Sequence, residues 1–189
     1  MTDIEHPLRD VSYAVTDTPV GTLVLAASDA GLLACSYDDE AAVLDRLARQ
    51  VSRRVLRHPA PLDAVRRELD AYFDGDASGF TTPVDLALAT PFTREVLGAL
   101  GSVPYGATTT YGQMAVALGR PRAARAVGNA LGANPLCVVL PCHRVLPAGS
   151  GVGGYAGGPA AKRLLLDLER GTGALLAAAT TAEGVRQHL

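Results

Sequence analysis

The sequence predicts an α+β protein: a small N-terminal α/β unit, then a mainly helical C-terminal domain with a helix-turn-helix. Three observations predict it. Short strand-like runs separated by turn sequences fill residues 12–37. Apolar residues recur at helical spacing over 61–73 and again beyond residue 91. Two short helical stretches after Thr110 are joined by a tight Gly-Arg-Pro link. The expected divisions are 1–85, 86–173 and an Ala/Thr-rich tail, 174–189, left open to disorder.

Each element has a local reason. Ser12–Thr16, Thr22–Ala27 and Leu32–Tyr37 are separated by Thr18-Pro19-Val20-Gly21 and Ser28-Asp29-Ala30-Gly31, both turn-forming. They read as a three-stranded meander or two hairpins, after a loose leader of ten residues. Asp38–Arg49 reads as a helix with Ala42, Leu44 and Leu47 apolar. Leu62, Val65, Leu69, Tyr72 and Phe73 give a second helix, stopped by Asp74-Gly75-Asp76. A connector follows, extended around Phe80–Leu86. Thr90-Pro91 starts a helix with proline at its first position. Thr110 and Gln113 form a capping-box pattern for a helix ending at Gly119. Pro121 opens the next helix, to about Gly132. Leu136–Leu140 is a continuous apolar run and reads as a buried strand ending at Pro141. The last helix runs from Pro159 to Arg170, with Ala161, Leu164, Leu165 and Leu168 as its buried stripe.

Composition excludes several classes. With 48% hydrophobic and 19% charged residues, the 189-residue chain can bury a core. No apolar run approaches the ~18 residues of a membrane span, and the acidic start Met1–Glu5 does not read as a secretory signal. Three scattered cysteines suit neither a disulfide framework nor a structural zinc site. A cytoplasmic protein is expected. The net charge of −2 is segregated. Residues 1–90 hold 8 Arg against 15 acidic residues, a net −7, and residues 91–173 hold a net +5. The basic half is a candidate face for a polyanion, against the alternative of chance segregation.

Two constellations carry chemistry. In the helix after Pro121, Arg122, Arg125 and Asn129 share the side opposite Ala123, Ala124, Val127, Ala130 and Leu131. Ala126, Gly128 and Gly132 beside them would let a bulky anionic surface approach, although an ordinary solvated helix face has the same polar stripe. Cys142-His143 follows the apolar run, on a rigid platform with solvent access, where an imidazole could accept the thiol proton. Direct contact between strand neighbours is unfavourable, so a water or a bend after Pro141 would be needed. Cys137, inside the run, should be inert. Glu169, at the margin of the last helix's stripe, is a candidate partner for His143; a carboxylate reaching for solvent is the alternative. The Gly149–Gly158 segment allows backbone to approach a flat ligand.

Pro141-Cys142-His143-Arg144-Val145 resembles the active-site signature of the O6-alkylguanine-DNA alkyltransferases. Tyr111-Gly112-Gln113, Ala123–Gly128, Asn134-Pro135, Tyr155 with Gly157-Gly158, and Leu164-Leu165 through Glu169 accompany it in family order. The resemblance covers nearly the whole chain and is faint before Phe80. It implies a ribonuclease-H-like N-terminal unit and single-turnover, irreversible transfer of an alkyl group from O6-alkylguanine in double-stranded DNA to Cys142, with O4-alkylthymine left open. His143 would act as base through a water, oriented by Glu169, and Asn134 would brace the turn. Arg125 would enter the duplex, with Arg122, Asn129 and Ala126 beside it on the DNA. Tyr111 would press on the phosphate and reach the base edge. Leu131, Val145, Val152, Gly153, Tyr155 and Ala156 would form the pocket. In this group Cys142 and Val145 would offer carbonyls to the guanine amino group, and Ala156 its N–H to the guanine oxygen. No cofactor, no metal, no membrane and a monomer, with cooperative assembly on DNA left open, complete the expectation. A thiol hydrolase using Cys142, His143 and a carboxylate is the main competing reading. A lesion sensor and a zinc deaminase fit less well: the sensors lack the cysteine kept here, and a deaminase needs a cysteine where Val145 stands.

Overall fold

A computed structural model describes residues 10–171. The expected leader and the tail 174–189 therefore lie almost wholly outside the described residues. The N-terminal unit is a four-stranded sheet. Strands β1 (Val11–Thr18), β2 (Gly21–Ser28) and β3 (Gly31–Ser36) form the expected antiparallel meander. Helix α1 (Glu40–Gln50) starts at an Asp39 cap, whose carboxylate accepts from the Ala41 N–H. The chain then adds β4 (Val55–Arg57), parallel to β1, which gives the order β3-β2-β1-β4. Only three residues long, β4 has too little apolar alternation to be read from sequence.

Alternation along β2 sorts the core into two layers. Val24 and Ala26 point to one face and pack with Val43 and Leu47 of α1. Leu23 and Leu25 point to the other, onto helix α2 (Asp63–Phe73). That second layer is not confined to the N-terminal unit. Leu136, Val138, Leu165 and Leu168 from beyond residue 91 are buried in it, so the two units share one core.

The C-terminal unit contains α3 (Pro91–Ala99), β5 (Thr109–Thr110), α4 (Tyr111–Ala117), α5 (Ala124–Gly132), β6 (Val145–Leu146) and α6 (Gly158–Glu169). Both halves of the capping box are made: the Gln113 N–H donates to Thr110 Oγ1, and the Thr110 N–H to Gln113 Oε1. Helix α5 starts three residues later than expected. Pro121 and Arg122 lie in the turn before it, where the Ala123 N–H bonds the Arg120 carbonyl. Arg122 is thus a turn residue, not part of the helical stripe.

The buried strand expected over Leu136–Leu140 is not one. Its N–H and C=O groups are spent on tight turns. Hydrogen bonds to the sheet come from residues 135–137: the Cys35 N–H bonds the Pro135 carbonyl, and the Cys137 N–H bonds the Cys35 carbonyl, both at 2.8 Å. The chain then folds back through Val138, whose φ of 69° is unusual for a β-branched residue. There the Val139 N–H bonds the Cys137 carbonyl in a γ-turn. Pro141, with φ −78° and ψ 60°, makes the inverse γ-turn, closed by the Cys142 N–H on the Leu140 carbonyl at 2.7 Å. An unbroken apolar run reads as a strand because burial is all that it reports; this run is buried as a coil. Among the described residues no helix is long and apolar enough to cross a membrane.

The free edge of β3 is also covered by residues 83–85, through the Leu32 N–H to the Pro83 carbonyl at 2.8 Å. Gly31 permits that approach. Its φ is +140°, and an added Cβ would stand 2.7 Å from the Pro83 oxygen. Gly31→Ala is expected to cost about 1–3 kcal/mol, read as a lower urea midpoint at unchanged slope.

Candidate active site

The reactive residues lie on a 3₁₀ turn, Cys142–Arg144, just after the coil. Cys142 is not exposed as expected but only 7% accessible. Cys142 forms one wall of a cavity of 320 Å³ that opens between α5 and the glycine-rich loop. Tyr111, Leu131, Tyr155 and Ala156, all expected at the site, line it. Gly128, Gly132 and Gly154 line it too and were not singled out as pocket residues. Three glycines and an alanine between two tyrosines leave a slot for a flat ligand.

Asn134 closes the coil beneath the sulfur. Its side-chain oxygen accepts from the Leu136 N–H at 2.9 Å, and its Nδ2 donates to the Leu140 carbonyl at 3.0 Å and to Cys142 Sγ at 3.2 Å. Three bonds from one buried side chain hold the strained segment in place. They also favour the thiolate. The Cys142 pKa is lowered, first by a hydrogen bond from the Cys137 thiol, against the opposing effect of burial, and then by Asn134 and the charge of Lys162. Cys137 shifts the opposite way because its proton is held against Cys142.

His143 is fully buried. Its Nε2 lies 2.8 Å from Glu169 Oε1. Burial lowers the imidazole pKa below its ordinary value, so the ring is neutral. A neutral ring facing a carboxylate carries its proton on Nε2. Nδ1 is left as a buried lone pair with no partner among the described residues.

Glu169 does not reach for solvent. Its side chain is 1% exposed and every lone pair is met. Besides His143 it accepts the Tyr72 hydroxyl at 2.6 Å, the Gly106 N–H at 3.1 Å and three contacts from the Arg144 guanidinium, all within 3.1 Å. Burial pushes its pKa up, but the bonds from His143, Arg144 and Tyr72 outweigh that and bring it to about 2.

Sequence reasoning missed three residues here. Tyr72 was read only as core, and nothing local marks its hydroxyl. Arg144 and Lys162 were counted toward a basic face, but they are 7% and 1% exposed. Lys162 donates to the carbonyls of Val145 at 2.7 Å and Gly154 at 3.3 Å, tying the glycine loop to β6. A signal existed: Lys162, Leu165, Leu166 and Glu169 fall at i, i+3, i+4 and i+7, a second buried stripe. The structure does not bring every expected pocket residue to the cavity. Val145 is fully buried, and Val152 is outside the lining. Gly153 is adjacent: a Cβ there would lie 3.4 Å from the Tyr111 hydroxyl. Arg125, Ala126 and Asn129 lie exposed on the outer face of α5, with Arg122 exposed in the turn before it.

The depressed Glu169 pKa contributes stability that is complete above its ordinary 4.5 and is lost as pH falls toward 2. The depressed His143 pKa adds a loss that begins below 6.5. Urea midpoints measured against pH should follow both limbs. Glu169→Gln, which leaves Arg144 buried without its counter-charge, should be about 3 kcal/mol less stable at neutral pH and lack the lower limb.

Comparison with known families gives one answer along the chain. Residues 11–86 match the model of the 6-O-methylguanine DNA methyltransferase ribonuclease-like domain, and residues 91–171 match that of the DNA binding domain of the same proteins. The methylated-DNA–protein-cysteine methyltransferase of Mycolicibacterium paratuberculosis is 38% identical over 160 residues, 85% of this chain and 93% of the relative. The crystal structure of Mycobacterium tuberculosis OGT in complex with DNA aligns with TM-score 0.73 at 37% identity, over 85% of this chain and 93% of that one. The structure of the M. tuberculosis O6-methylguanine methyltransferase aligns with TM-score 0.74 at 36% identity over the same shares. With both domains matched in order and the buried Cys142, His143 and Glu169 inside the second, the chain belongs to the O6-methylguanine DNA methyltransferase family, the methylated-DNA–protein-cysteine methyltransferases.

Proposed function

We propose that the protein repairs double-stranded DNA by taking the alkyl group of an O6-alkylguanine onto Cys142, once and irreversibly. The observation that carries this is that Cys142 lines the cavity and a neutral imidazole, His143, follows it in the chain. Because Glu169 holds the Nε2 proton, the Nδ1 lone pair of His143 is free to receive the Cys142 proton through a water. The thiolate then attacks the alkyl carbon. A C–S bond forms, the bond from that carbon to the guanine oxygen breaks, and the oxygen leaves with the electron pair. Donors at the base edge, the Tyr111 hydroxyl and the Ala156 N–H, compensate that charge. The product is a thioether, which no neighbouring group can cleave, so each molecule acts once.

The alkylated oxygen is hidden in a stacked duplex, and the base must be rotated out at a cost of a few kcal/mol. Helix α5 suits that task. Exposed Arg125 stands beside Ala126 and Gly128, small enough for a minor groove to close on them while the guanidinium fills the vacated space. Arg122 and Asn129 flank it and hold the backbone. The Val145 carbonyl, expected to receive the guanine amino group, already accepts from Lys162; its second lone pair and the Cys142 carbonyl serve the base. The protein acts as a monomer, one nucleotide per cavity. Its three unpaired cysteines suit the reducing cytoplasm.

Incubation with a methylated duplex should add one methylene per chain by intact mass, on the peptide holding Cys142, with no second round. Cys142→Ala should show no gain while retaining DNA binding in a gel shift. Continued product release by the wild type would favour a thiol hydrolase instead. Arg125→Ala should slow repair in duplex by about tenfold or more yet leave reaction with a free O6-alkylguanine base nearly unchanged. Equal losses on both substrates would remove the intercalating role.

A further inference from the structure

A second thiol lies directly behind the acceptor. Asn134 contacts both sulfurs: its backbone carbonyl takes the Cys137 S–H at 3.6 Å, and its Nδ2 reaches Cys142 Sγ at 3.2 Å. The two thiols also shift each other's ionisation, Cys142 downward and Cys137 upward. This meeting follows from the turns at Val138 and Pro141, since a strand would have carried residues five apart well away from one another. The two sulfurs are not equivalent. Cys142 forms part of the cavity wall, whereas Cys137 is 2% exposed and absent from it. A small oxidant in the cavity thus meets Cys142 alone.

A thiolate prepared for alkylation is also prepared for oxidation. We propose that Cys137 is a resolving thiol, which captures a peroxide-oxidised Cys142 as an internal disulfide and so keeps the acceptor recoverable. The Cys142 thiolate attacks one oxygen of a hydroperoxide. The O–O bond breaks, and the other oxygen leaves as alkoxide or hydroxide and is protonated. Cys142 is now a sulfenic acid, with no negative charge to hold the Cys137 proton. The Cys137 sulfur attacks the Cys142 sulfur, the S–O bond breaks, and hydroxide leaves with the Cys137 proton as water. Two thiols lose two electrons in all, and the peroxide gains them. A cellular dithiol reverses the disulfide by exchange. Without Cys137, the sulfenic acid would proceed to sulfinic and sulfonic acids, which such thiols do not reverse. Cys35 is the alternative partner. It is fully buried, its thiol is pushed up to about 12, and it meets Cys137 through backbone atoms.

The biological consequence rests on Cys142 being the alkyl acceptor; the disulfide chemistry does not. The full chain is treated with equimolar hydrogen peroxide and mapped without reduction. Tryptic cleavage at Arg125 and Arg144 leaves both sulfurs in one peptide, 126–144. That peptide should lose two hydrogens while the Cys35 peptide is unchanged, and dithiothreitol should restore methyl uptake to most of the untreated level. Cys137→Ser should instead gain oxygen atoms at Cys142 and recover about tenfold less of its own untreated uptake. Oxygen accumulating on Cys142 of the wild type, a bond to Cys35, or full recovery of Cys137→Ser would each overturn the proposal. If Cys137→Ser does not fold, the wild-type peptide masses decide. Methyl uptake by untreated protein is scored separately, so a failure of the acceptor reading is distinguishable from a failure of the disulfide.

Discussion

A carboxylate taken out of water must find all of its hydrogen bonds within the protein, and Glu169 does so from three parts of the chain. Tyr72 comes from α2 beneath the N-terminal sheet, Gly106 from the loop before β5, and His143 with Arg144 from the turn that bears the sulfur. No one of these elements could bury the charge alone. The ion cluster therefore sets where the last helix, the reactive turn and the N-terminal unit lie relative to one another. It also fixes a protonation state. With Glu169 held ionised and His143 held neutral, the imidazole has only one tautomer open to it, and the basic nitrogen is the one not facing the carboxylate. The N-terminal unit thereby contributes to chemistry without touching the cavity.

The coil from Asn134 to Cys142 solves a second problem. A thiol near the floor of a core is normally driven toward its protonated form, as Cys35 is. Cys142 is shifted the other way by Cys137 and by the Asn134 amide, 3.2 Å from its sulfur, and the coil places both. A left-handed Val138 costs about 1–3 kcal/mol. The shared core over Leu136, Val138 and Leu165, together with the three bonds of Asn134, offsets it. Strain in the backbone and activation of the sulfur are two aspects of one arrangement.

Much of this was legible in the residues. The meander came from its turn sequences, α4 from its capping box, and the α6 stripe from its spacing, because each rests on local physics that adjacent residues declare. Cys142 and His143 stood out as adjacent reactive groups and Arg125 as part of a polar stripe, and the family resemblance added Asn134 and Tyr111. What failed was whatever depended on distant partners. Five apolar residues looked like a strand, since periodicity does not distinguish a strand from a coil when both are wholly buried. Arg144 and Lys162 looked like surface charge, since a lone basic residue does not announce the carboxylate or carbonyl it will meet. Tyr72 lies 97 positions from Glu169, and its hydroxyl is invisible to any local pattern.

The misread basic residues change the electrostatic picture of the C-terminal half. Its positive excess is not all available to a polyanion. Arg144 is spent on Glu169, Lys162 on two carbonyls, and Arg120 on Glu95 at 2.9 Å. Around α5 the exposed cations that remain are Arg122 and Arg125, on the side where the cavity opens beside Gly128 and Gly132. Such a footprint is too small for strong attachment through phosphates alone, since that attachment grows with the number of contacts. Selection then has to come from what the cavity accepts. In the proposed function, a duplex that surrenders one base gains the contacts of the slot and of Arg125 together, whereas an intact one gains only those of Arg122. Under that proposal, weak attachment to ordinary DNA and firm retention of an extruded base follow from the same economy of surface charge.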